Sequence, residues 1–425
     1  MNSVCCQWRL FGLSMTRIII LILTFLCVWV PHALPQEVTQ SPVPKNLTVE
    51  EKAYNQFAVE LLVEMSCLLD SKHNMMLSPF SVWSVLALLT EGASGNTHSQ
   101  LRSTLHLDMG KRSISQRYQT LDKNLKATEG SAVEFDSANV MVTDENRPVL
   151  QAYENVVRDV YNAHIIPVNF HKMKKAAQDI NSWVSNVTHN RIPHIVNEGD
   201  LKVPHLILAN AVYFKGTWKY PFNESETTDE DFFDEAEKVI AKVPTMKQTS
   251  KFVFGYIPEV ESHMLVLPYL GDQFSMVLAM PQKKVPLLQM LERIKLASFH
   301  EVLRQLHQIQ GEFAEDVRVH LPRFLIQSDF VLNSPLVKMG IADAFSDRAN
   351  FRRISSQDIY VSKLIHKAEI EVNERGTIAS AASGVMFVDK MLPSVFKANR
   401  PFAYFIIENE HKSVLFAGRV SNPAA

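Results

Sequence analysis

Residues Glu371–Asn399 read EVNERGTIASAASGVMFVDKMLPSVFKAN, and this stretch is the most informative part of the sequence. From Gly376 to Gly384 every side chain except that of Ile378 is very small. Small side chains allow an extended segment to enter a packed sheet without overpacking, a fault that costs about 1–3 kcal/mol per site. The stretch therefore predicts a loop that can move into a sheet as an additional strand.

Length and composition indicate an ordinary globular protein. The chain has 425 residues, of which 46% are hydrophobic and 21% charged, and its formal net charge is −2. This balance gives no electrostatic basis for binding nucleic acid. No linker rich in Pro, Gly, Ser or charge divides the interior, so we expect a single domain over residues 49–425, and a monomer.

The amino terminus has the pattern of an export signal. Arg9 and Arg17 precede the uncharged run Ile18–Val30, which is shorter than the roughly 20 residues that a membrane span requires. This pattern predicts a signal peptide over residues 1–33, followed by a disordered, proline-containing lead-in over residues 34–48. We therefore expect a secreted, extracellular protein without a membrane anchor.

The predicted export of the chain determines how its cysteines and glycosylation sequons are interpreted. Removal of the signal peptide would leave Cys67 as the only cysteine and exclude an intrachain disulfide. Cys67 falls within an apolar helical pattern, which predicts a buried, unreactive thiol. Three acceptor sequons mark candidate glycosylation sites: Asn46, Asn186 and Asn223.

The periodicity of apolar residues predicts helices before strands. Five segments have the helical period: 50–69, 82–89, 149–162, 174–185 and 334–339. Six segments resemble strands: 206–214, 275–280, 317–326, 359–372, 402–407 and 414–420. Because helices and strands do not alternate regularly, the fold class is predicted to be α+β with mixed or antiparallel sheets.

The sequence contains no motif that supports an enzyme activity or a metal site. His300-Glu301 lies on a helical stretch, but no histidine follows at the zinc-binding spacing. His189 and His194 are separated by Pro193, which breaks any shared helical face. No nucleophile elbow, phosphate loop or dinucleotide fingerprint is present, which leaves an enzyme unsupported but does not exclude one. We expect no metal and no cofactor.

One group of basic residues raises a binding alternative. These residues could form a patch that binds a sulfated glycosaminoglycan weakly. The acidic residues Asp108, Asp122 and Glu129 lower the positive charge of this segment. A solvated helix face is therefore the preferred interpretation. The basic residues are Lys111, Arg112, Arg117, Lys123 and Lys126.

The carboxyl-terminal stretch resembles the hinge of an inhibitory serpin. Glu374-Arg-Gly-Thr-Ile-Ala-Ser-Ala-Ala-Ser383 is similar to that family's Glu-Glu-Gly-Thr-Glu motif and the small residues after it. Other segments agree with the family in unbroken order from about residue 50 to the terminus. They are Leu77-Ser-Pro-Phe-Ser81, Asn210-Ala-Val-Tyr-Phe-Lys-Gly-Thr-Trp218, Leu321-Pro-Arg-Phe324, Asn399-Arg-Pro-Phe402 and Phe416-Ala-Gly-Arg-Val-Ser-Asn-Pro423.

The resemblance implies the serpin fold, with three β-sheets, eight or nine helices and an exposed reactive-centre loop over about residues 374–398. It implies that a protease forms an acyl-enzyme with the loop, which then inserts into the main sheet. The implied hinge consists of Glu374, Gly376, Thr377, Ala379, Ser380, Ala381, Ala382 and Ser383. In the family's register Thr377, Ala379, Ala381 and Ser383 face inwards. Arg375 and Ile378 depart from the family pattern, which has glutamate at both positions.

The resemblance also places the bond that the protease attacks. Lys390 stands fourteen positions after Gly376, the spacing of the commonest loop length in the family, so Lys390-Met391 is the expected reactive bond. A lysine there suits an extracellular trypsin-like serine protease. A register shifted by one residue would present Met391 and suit an elastase- or chymotrypsin-like protease.

By position, the resemblance assigns two supporting groups. Ser78, Ser81, Asn210 and His366 match the polar cluster beneath the opening sheet, while Trp218, Arg323 and Glu374 match the region where the loop first enters. The expected function is inhibition of a serine protease. A non-inhibitory carrier or chaperone is the alternative, and a secreted hydrolase, the third, lacks a nucleophile motif.

Overall fold

The computed structural model describes residues 48–107, 113–125, 133–161, 163–202, 206–310, 316–376 and 392–425. Within these residues there are nine α-helices, all in the unit formed by residues 44–425. They are α1 (Val49–Leu68), α2 (Pro79–Gly92), α3 (Gly95–Thr104), α4 (Ile114–Leu125), α5 (Gln151–Asp159), α6 (Met173–Val187), α7 (Leu287–Ala297), α8 (Phe299–Gln310) and α9 (Asn333–Lys338).

The described residues also form fifteen strands, which carry most of the interior. They are β1 (Met75–Leu77), β2 (Val133–Asp144), β3 (His164–Val168), β4 (Leu206–Gly216), β5 (Thr228–Phe233), β6 (Val239–Lys251), β7 (Val253–Ile257), β8 (Ser262–Pro268), β9 (Phe274–Pro281), β10 (Asp316–Pro322), β11 (Phe324–Val331), β12 (Val361–Val372), β13 (Ser394–Lys397), β14 (Phe402–Glu408) and β15 (Val414–Val420).

The first two helices begin where their capping residues predict. The backbone N–H of Thr48 donates to the Glu51 carboxylate at 2.6 Å, and the N–H of Glu51 donates to the Thr48 hydroxyl at 3.2 Å. Helix α2 begins after Ser78 with Pro79 in its first turn and is buried over nearly its whole length. In the described part of the chain, every helix is too short or too polar to cross a membrane.

The strands form three sheets. The five-stranded sheet has the order β11-β12-β4-β2-β3, the four-stranded sheet β13-β10-β6-β5, and the six-stranded sheet β1-β15-β14-β9-β8-β7. Parallel pairs join β12 to β4, β2 to β3 and β10 to β13, while the other neighbours are antiparallel. The predicted α+β serpin fold, with three sheets that are mixed or antiparallel, is confirmed.

The predicted strand 317–326 is two strands in different sheets. β10 ends at Pro322, β11 begins at Phe324, and the N–H of Arg323 donates to the Pro244 carbonyl at 2.9 Å. Because proline has no N–H to continue a ladder, the break after Pro322 has a physical cause. It directs β11 into the five-stranded sheet and leaves Arg323 between the two sheets.

The start and the end of the described chain meet in the interior. Strand β1 pairs with β15, and the Tyr54 hydroxyl of α1 donates to the Val414 carbonyl. The Asn55 side chain donates to the Lys412 carbonyl at 2.8 Å and accepts from the Val414 N–H at 3.1 Å. The last strand therefore completes the packing of the first helix.

Cys67 is exposed, so the prediction of a buried thiol is wrong. It lies in the last turn of α1, where Met65 and Ser66 are still buried but Leu68 is 39% exposed. Cys67 is exposed because it falls on the side of the helix that carries the half-buried Glu60 and Glu64. Partial desolvation, followed by the nearby carboxylates of Glu64 and Glu292, raises the pKa of the Cys67 thiol. A raised pKa disfavours the reactive thiolate.

Candidate functional site

A row of polar side chains crosses three neighbouring strands of the five-stranded sheet. The register places Asn139 of β2 opposite Asn210 of β4, and Asn210 opposite His366 of β12. Asn210 donates from Nδ2 to Oδ1 of Asn139 at 2.5 Å, and its own Oδ1 lies 2.6 Å from Nδ1 of His366. These three residues, here called the polar row, link β4 to β12 through side chains as well as backbones.

The hydrogen bonds of His366 define its protonation. The backbone N–H of Ser78 donates to Nε2 at 3.1 Å, so Nε2 is the unprotonated nitrogen and Nδ1 carries the hydrogen that is donated to Asn210. The ring is fully buried, and burial lowers the pKa of His366 to about 3. His366 is therefore a neutral side chain with a fixed tautomer.

The start of helix α2 completes this network. The Ser81 hydroxyl donates to Oδ1 of Asn210 at 2.7 Å, and the Ser78 hydroxyl donates to the Leu415 carbonyl of β15 at 3.0 Å. Ser78 also caps α2, because its Oγ accepts from the N–H of Ser81 at 3.3 Å. The structure thus brings the four predicted cluster residues together: Ser78, Ser81, Asn210 and His366.

Asn139 belongs to the same network but was not predicted from the sequence. Its strand, β2, was also missed, because polar residues such as Asp136 and Ser137 interrupt the apolar alternation. The only signal for Asn139 is its position opposite Asn210, and that register becomes visible only in the folded sheet.

Strands β4 and β12 separate near the base of the predicted reactive-centre loop. Their parallel register runs from Leu206 and Val361 to Tyr213 and Glu369, whereas β4 continues to Gly216 and β12 to Val372. Gly376 lies against this opening with φ +83°, and a Cβ atom there would stand 2.3 Å from the Gly216 carbonyl oxygen. The position therefore requires glycine.

The segment before Gly376 is bound to the residues that follow β4. The Trp218 indole donates to the Asn373 carbonyl at 3.0 Å, and the Trp218 backbone N–H donates to the Arg375 carbonyl at 3.2 Å. The Trp218 ring stacks on Tyr269 with a centroid distance of 4.6 Å. A packed aromatic pair thus supports the base of the loop.

Glu374 is buried and receives hydrogen bonds from two sides. Nε of Arg323 donates to both carboxylate oxygens at 2.7 and 2.8 Å, and the Thr227 hydroxyl donates at 2.5 Å. Burial acts to raise the pKa of Glu374, but the hydrogen bonds from Arg323 and Thr227 outweigh it and hold the pKa below its ordinary value. We call four residues the loop-base cluster: Trp218, Thr227, Arg323 and Glu374. The resemblance predicted all of them except Thr227.

Arg375, which departs from the family pattern, has a partner of its own. Its Nε lies 2.9 Å from the Glu224 carboxylate, and the two side chains are 53% and 57% exposed. An exposed pair of this kind contributes little to stability. Arg375 therefore lies on the solvent side of the loop base, away from the sheet interior.

Several predicted site residues lie outside the described residues. They are Asn46, Thr377, Ala379, Ser380, Ala381, Ala382, Ser383, Lys390 and Met391. The other two candidate glycosylation sites, Asn186 and Asn223, are exposed.

The structure describes two of the five residues of the predicted basic patch, Arg117 and Lys123. Lys111, Arg112 and Lys126 lie outside the described residues, and Arg117 is buried. Nη1 of Arg117 donates to the His106 carbonyl at 3.4 Å. The prediction that Arg117 contributes to a solvent-facing patch is therefore wrong, because its guanidinium packs inwards against the chain before α4.

Comparison with known proteins decides the family. The family profile described as Serpin (serine protease inhibitor) matches residues 52–423. The chain belongs to the serpin family. It is accordingly a protease inhibitor and not an enzyme.

Relatives and solved structures agree with this assignment. The serpin is 36% identical to leukocyte elastase inhibitor A of Mus musculus, over 82% of this chain and 93% of the relative. It is 33% identical to leukocyte elastase inhibitor of Homo sapiens, over 87% and 98%. The crystal structure of serpin-12 from Manduca sexta matches with a TM-score of 0.77 and 26% identity, over 88% of this chain and 99% of that chain.

These relatives correct the prediction that the serpin is secreted and extracellular. Leukocyte elastase inhibitors are intracellular serpins, so the likeness points away from secretion. The run Ile18–Val30 has the length and apolar composition of a signal core, but composition alone does not establish export. Residues 1–47 lie outside the described residues, and glycosylation of the three sequons stays a prediction.

Proposed function

We propose that this serpin inhibits a trypsin-like serine protease by a covalent, single-turnover trap. The observation that carries the proposal is Lys390, which stands fourteen residues after Gly376. A lysine side chain fills the deep acidic pocket of a trypsin-like protease through a charge-assisted hydrogen bond. The fixed position of Gly376 beside the opening between β4 and β12 supports this count, because it marks where the loop begins.

The covalent step follows ordinary serine protease chemistry. The protease serine Oγ attacks the carbonyl carbon of Lys390, the bond to Met391 breaks, and the new amine of Met391 leaves with the proton that the protease histidine supplies. An ester between the protease serine and Lys390 remains. The protease stays bound as long as water does not hydrolyse this ester.

Strand insertion then competes with hydrolysis. The segment from Thr377 onward would enter between β4 and β12, which are direct neighbours in the five-stranded sheet. An inserted strand of about ten residues gains backbone hydrogen bonds worth roughly 1 kcal/mol net each, together with apolar burial. The polar row spans this junction, so its bonds between Asn210 and His366 would have to separate and be replaced.

A second candidate target is an elastase-like protease. Relatives of this serpin are named leukocyte elastase inhibitors, and Met391 is the next residue after Lys390. A loop register shifted by one residue would present Met391 to an apolar pocket. Sequencing the carboxyl-terminal fragment that is released after attack separates the two candidates, because it would begin at Met391 for the first target and at Leu392 for the second.

The trapping mechanism is tested with a matched pair of variants. Trypsin-like protease mixed with the serpin is expected to give a complex that resists SDS. Thr377→Arg should abolish the complex and turn the serpin into a substrate, because the family register points residue 377 inwards and a buried arginine blocks insertion. Ile378→Arg, at a position predicted to face outwards, is the control and should still form the complex.

Cleavage of the unmodified serpin without complex formation, at every ratio and with both protease classes, would overturn the inhibitory proposal. That result would favour the non-inhibitory carrier or chaperone. The small residues that the register places inwards at 377, 379, 381 and 383 favour the inhibitor.

A further inference from the structure

Apolar side chains are exposed immediately after the proposed reactive bond. Leu392 is 96% exposed, and Val395 on the edge strand β13 is 56% exposed. The next residue, Phe396, is buried against Phe254, so β13 is anchored and the alternation of the strand turns Val395 to solvent. The chain thus leaves one leucine and one valine in water within five residues of Lys390.

A cationic side chain from a distant part of the sequence stands beside this pair. The register of β13 and β10 places Val395 opposite Arg318, which is exposed between the buried Val317 and Val319. Nε of Arg318 lies 3.5 Å from the Thr249 hydroxyl of β6. Leu392, Val395 and Arg318 form a small apolar and cationic surface, here called the loop-side face.

The adjacent positions of the same sheet are also rich in cations. Glu230 of β5 lies 2.8 Å from Nζ of Lys247, 2.8 Å from Nζ of Lys397 and 3.1 Å from Nδ1 of His320. Two lysines thus share one carboxylate, and the group retains positive charge. The charge of the loop-side face and of its surroundings favours an acidic partner.

The few residues that join Lys390 to the loop-side face set an upper limit on the distance between this face and a protease bound at Lys390. A fully extended chain spans at most about 3.3–3.6 Å per residue, which puts Leu392 within about 7 Å and Val395 within about 18 Å of Lys390. Arg318 is one strand spacing of about 4.8 Å further. A partner that covers about 800 Å² has a footprint of about 16 Å radius, so a protease seated on Lys390 covers Leu392. Val395 and Arg318, at most about 18 and 23 Å from Lys390, lie at the rim of that footprint.

We propose that the loop-side face is a second contact surface for the target protease, selecting one that carries an acidic side chain beside an apolar patch next to its cleft. The inference rests on the proposed function, since it requires a protease bound at the loop. Arg318 distinguishes it from ordinary recognition of the loop sequence, because Arg318 lies on another strand, far from the reactive bond in sequence. The contact would raise the rate of capture without changing the chemistry at the bond.

The test compares second-order rate constants of inhibition at low salt. Leu392→Ser and Val395→Ser are each expected to lower the constant about 3- to 10-fold, and Arg318→Glu about 5-fold or more, with unchanged stoichiometry. The effect of Arg318→Glu should fall below about twofold at 1 M salt, where the screening length is about 3 Å. Affinity for a protease whose catalytic serine is replaced by alanine should fall in parallel.

Matched controls separate this effect from general changes. Val331→Ser removes a valine of β11 that is 48% exposed, and Arg353→Glu makes the same charge change on a surface turn. Both should leave the rate within about twofold, as is usual for surface substitutions away from a contact. Leu392→Ser tests the surface without risk to folding, because that side chain is almost fully exposed.

Two failures are distinguishable. If the unmodified serpin forms no complex with either protease class, the proposed function itself is overturned. If the complex forms and Arg318→Glu and Leu392→Ser capture the protease as fast as the unmodified serpin, only the second contact surface is overturned.

Discussion

The polar row and the loop-base cluster both hold β4 near β12, but they use different chemistry. The row lies within the strands, where Asn210 and His366 are fully buried and neutral. The cluster lies where the strands end, and its Arg323-Glu374 pair joins a side chain that is 44% exposed to one that is 4% exposed. Neutral groups can be desolvated if every hydrogen bond is made, whereas a charged pair is less costly where water still reaches one partner.

The largest effect is expected from removing the centre of the polar row. Asn210→Ala would leave the hydrogen-bonding groups of Asn139, Ser81 and His366 without their partner in a buried site. Each buried unsatisfied group costs about 1–3 kcal/mol, so the free energy of unfolding should fall by about 3–5 kcal/mol. Urea denaturation measures this change.

The control for that experiment is Asn155→Ala on the exposed surface of α5. A surface substitution of this kind should change the free energy of unfolding by less than about 0.5 kcal/mol. A loss below about 1 kcal/mol for Asn210→Ala would contradict the view that the row is a fully satisfied buried network.

An acid-dependent loss of stability is expected from His366. Its pKa is about 3 in the folded chain against an ordinary value of 6.5, so below pH 6.5 the unfolded chain takes up a proton that the folded chain does not. Stability therefore falls as pH falls from 6.5 towards 3, and at pH 5 this contribution amounts to about 2 kcal/mol.

His366→Gln separates this contribution from other titrating groups. The difference in unfolding free energy between pH 7.5 and pH 5 should be about 2 kcal/mol larger for the unmodified chain than for the variant. Equal pH dependence of the two proteins would show that His366 is protonated in both states at pH 5.

A smaller, salt-dependent effect is expected at the loop-base cluster. Arg323→Ala removes the cation beside the buried Glu374 carboxylate and should lower stability by about 1–2 kcal/mol, less than for a fully buried pair because water reaches Arg323. The difference should shrink in 1 M NaCl. Arg375→Ala, which breaks the exposed pair with Glu224, is the control and should cost at most about 0.5 kcal/mol. Equal losses of unfolding free energy for Arg323→Ala and Arg375→Ala would contradict the prediction that the half-buried pair stabilises the fold more than the exposed pair.

Local sequence predicted the parts of the site that depend on local chemistry. Ser78 followed by Pro79 is a local signal for the start of α2, whereas the place of Ser78 in the hydrogen-bond network was predicted from the family resemblance. Pro322 lies inside the single predicted strand 317–326, and the division of that segment between two sheets depends on long-range pairing that local sequence does not show. Asn139 and Thr227 were missed for the same reason, because each joins the site only through partners that are remote in sequence.

The resemblance to a family supplied what local chemistry could not. Periodicity alone gave six segments, which cover seven of the described strands because segment 317–326 holds two. The motifs around Asn210, Trp218 and Glu374 indicated three sheets and the region where the loop begins. Secretion of the protein was predicted wrongly, because an apolar run that follows arginines does not by itself establish that a chain is exported. The burial of Cys67 was predicted wrongly, because it lies on the side of α1 that carries the half-buried Glu60 and Glu64 and not on the buried side.

The hydrogen bonds between α1 and residues 412–414, where β15 begins, have a consequence for synthesis of the chain. Tyr54 and Val414 are 360 residues apart in sequence, so α1 lacks its final partners until nearly the whole chain has left the ribosome. At roughly 5–20 residues per second this delay is about 20–70 s. During that time unpaired strand edges and apolar surface stay open to other chains, and molecular chaperones should have their largest effect on yield in this interval.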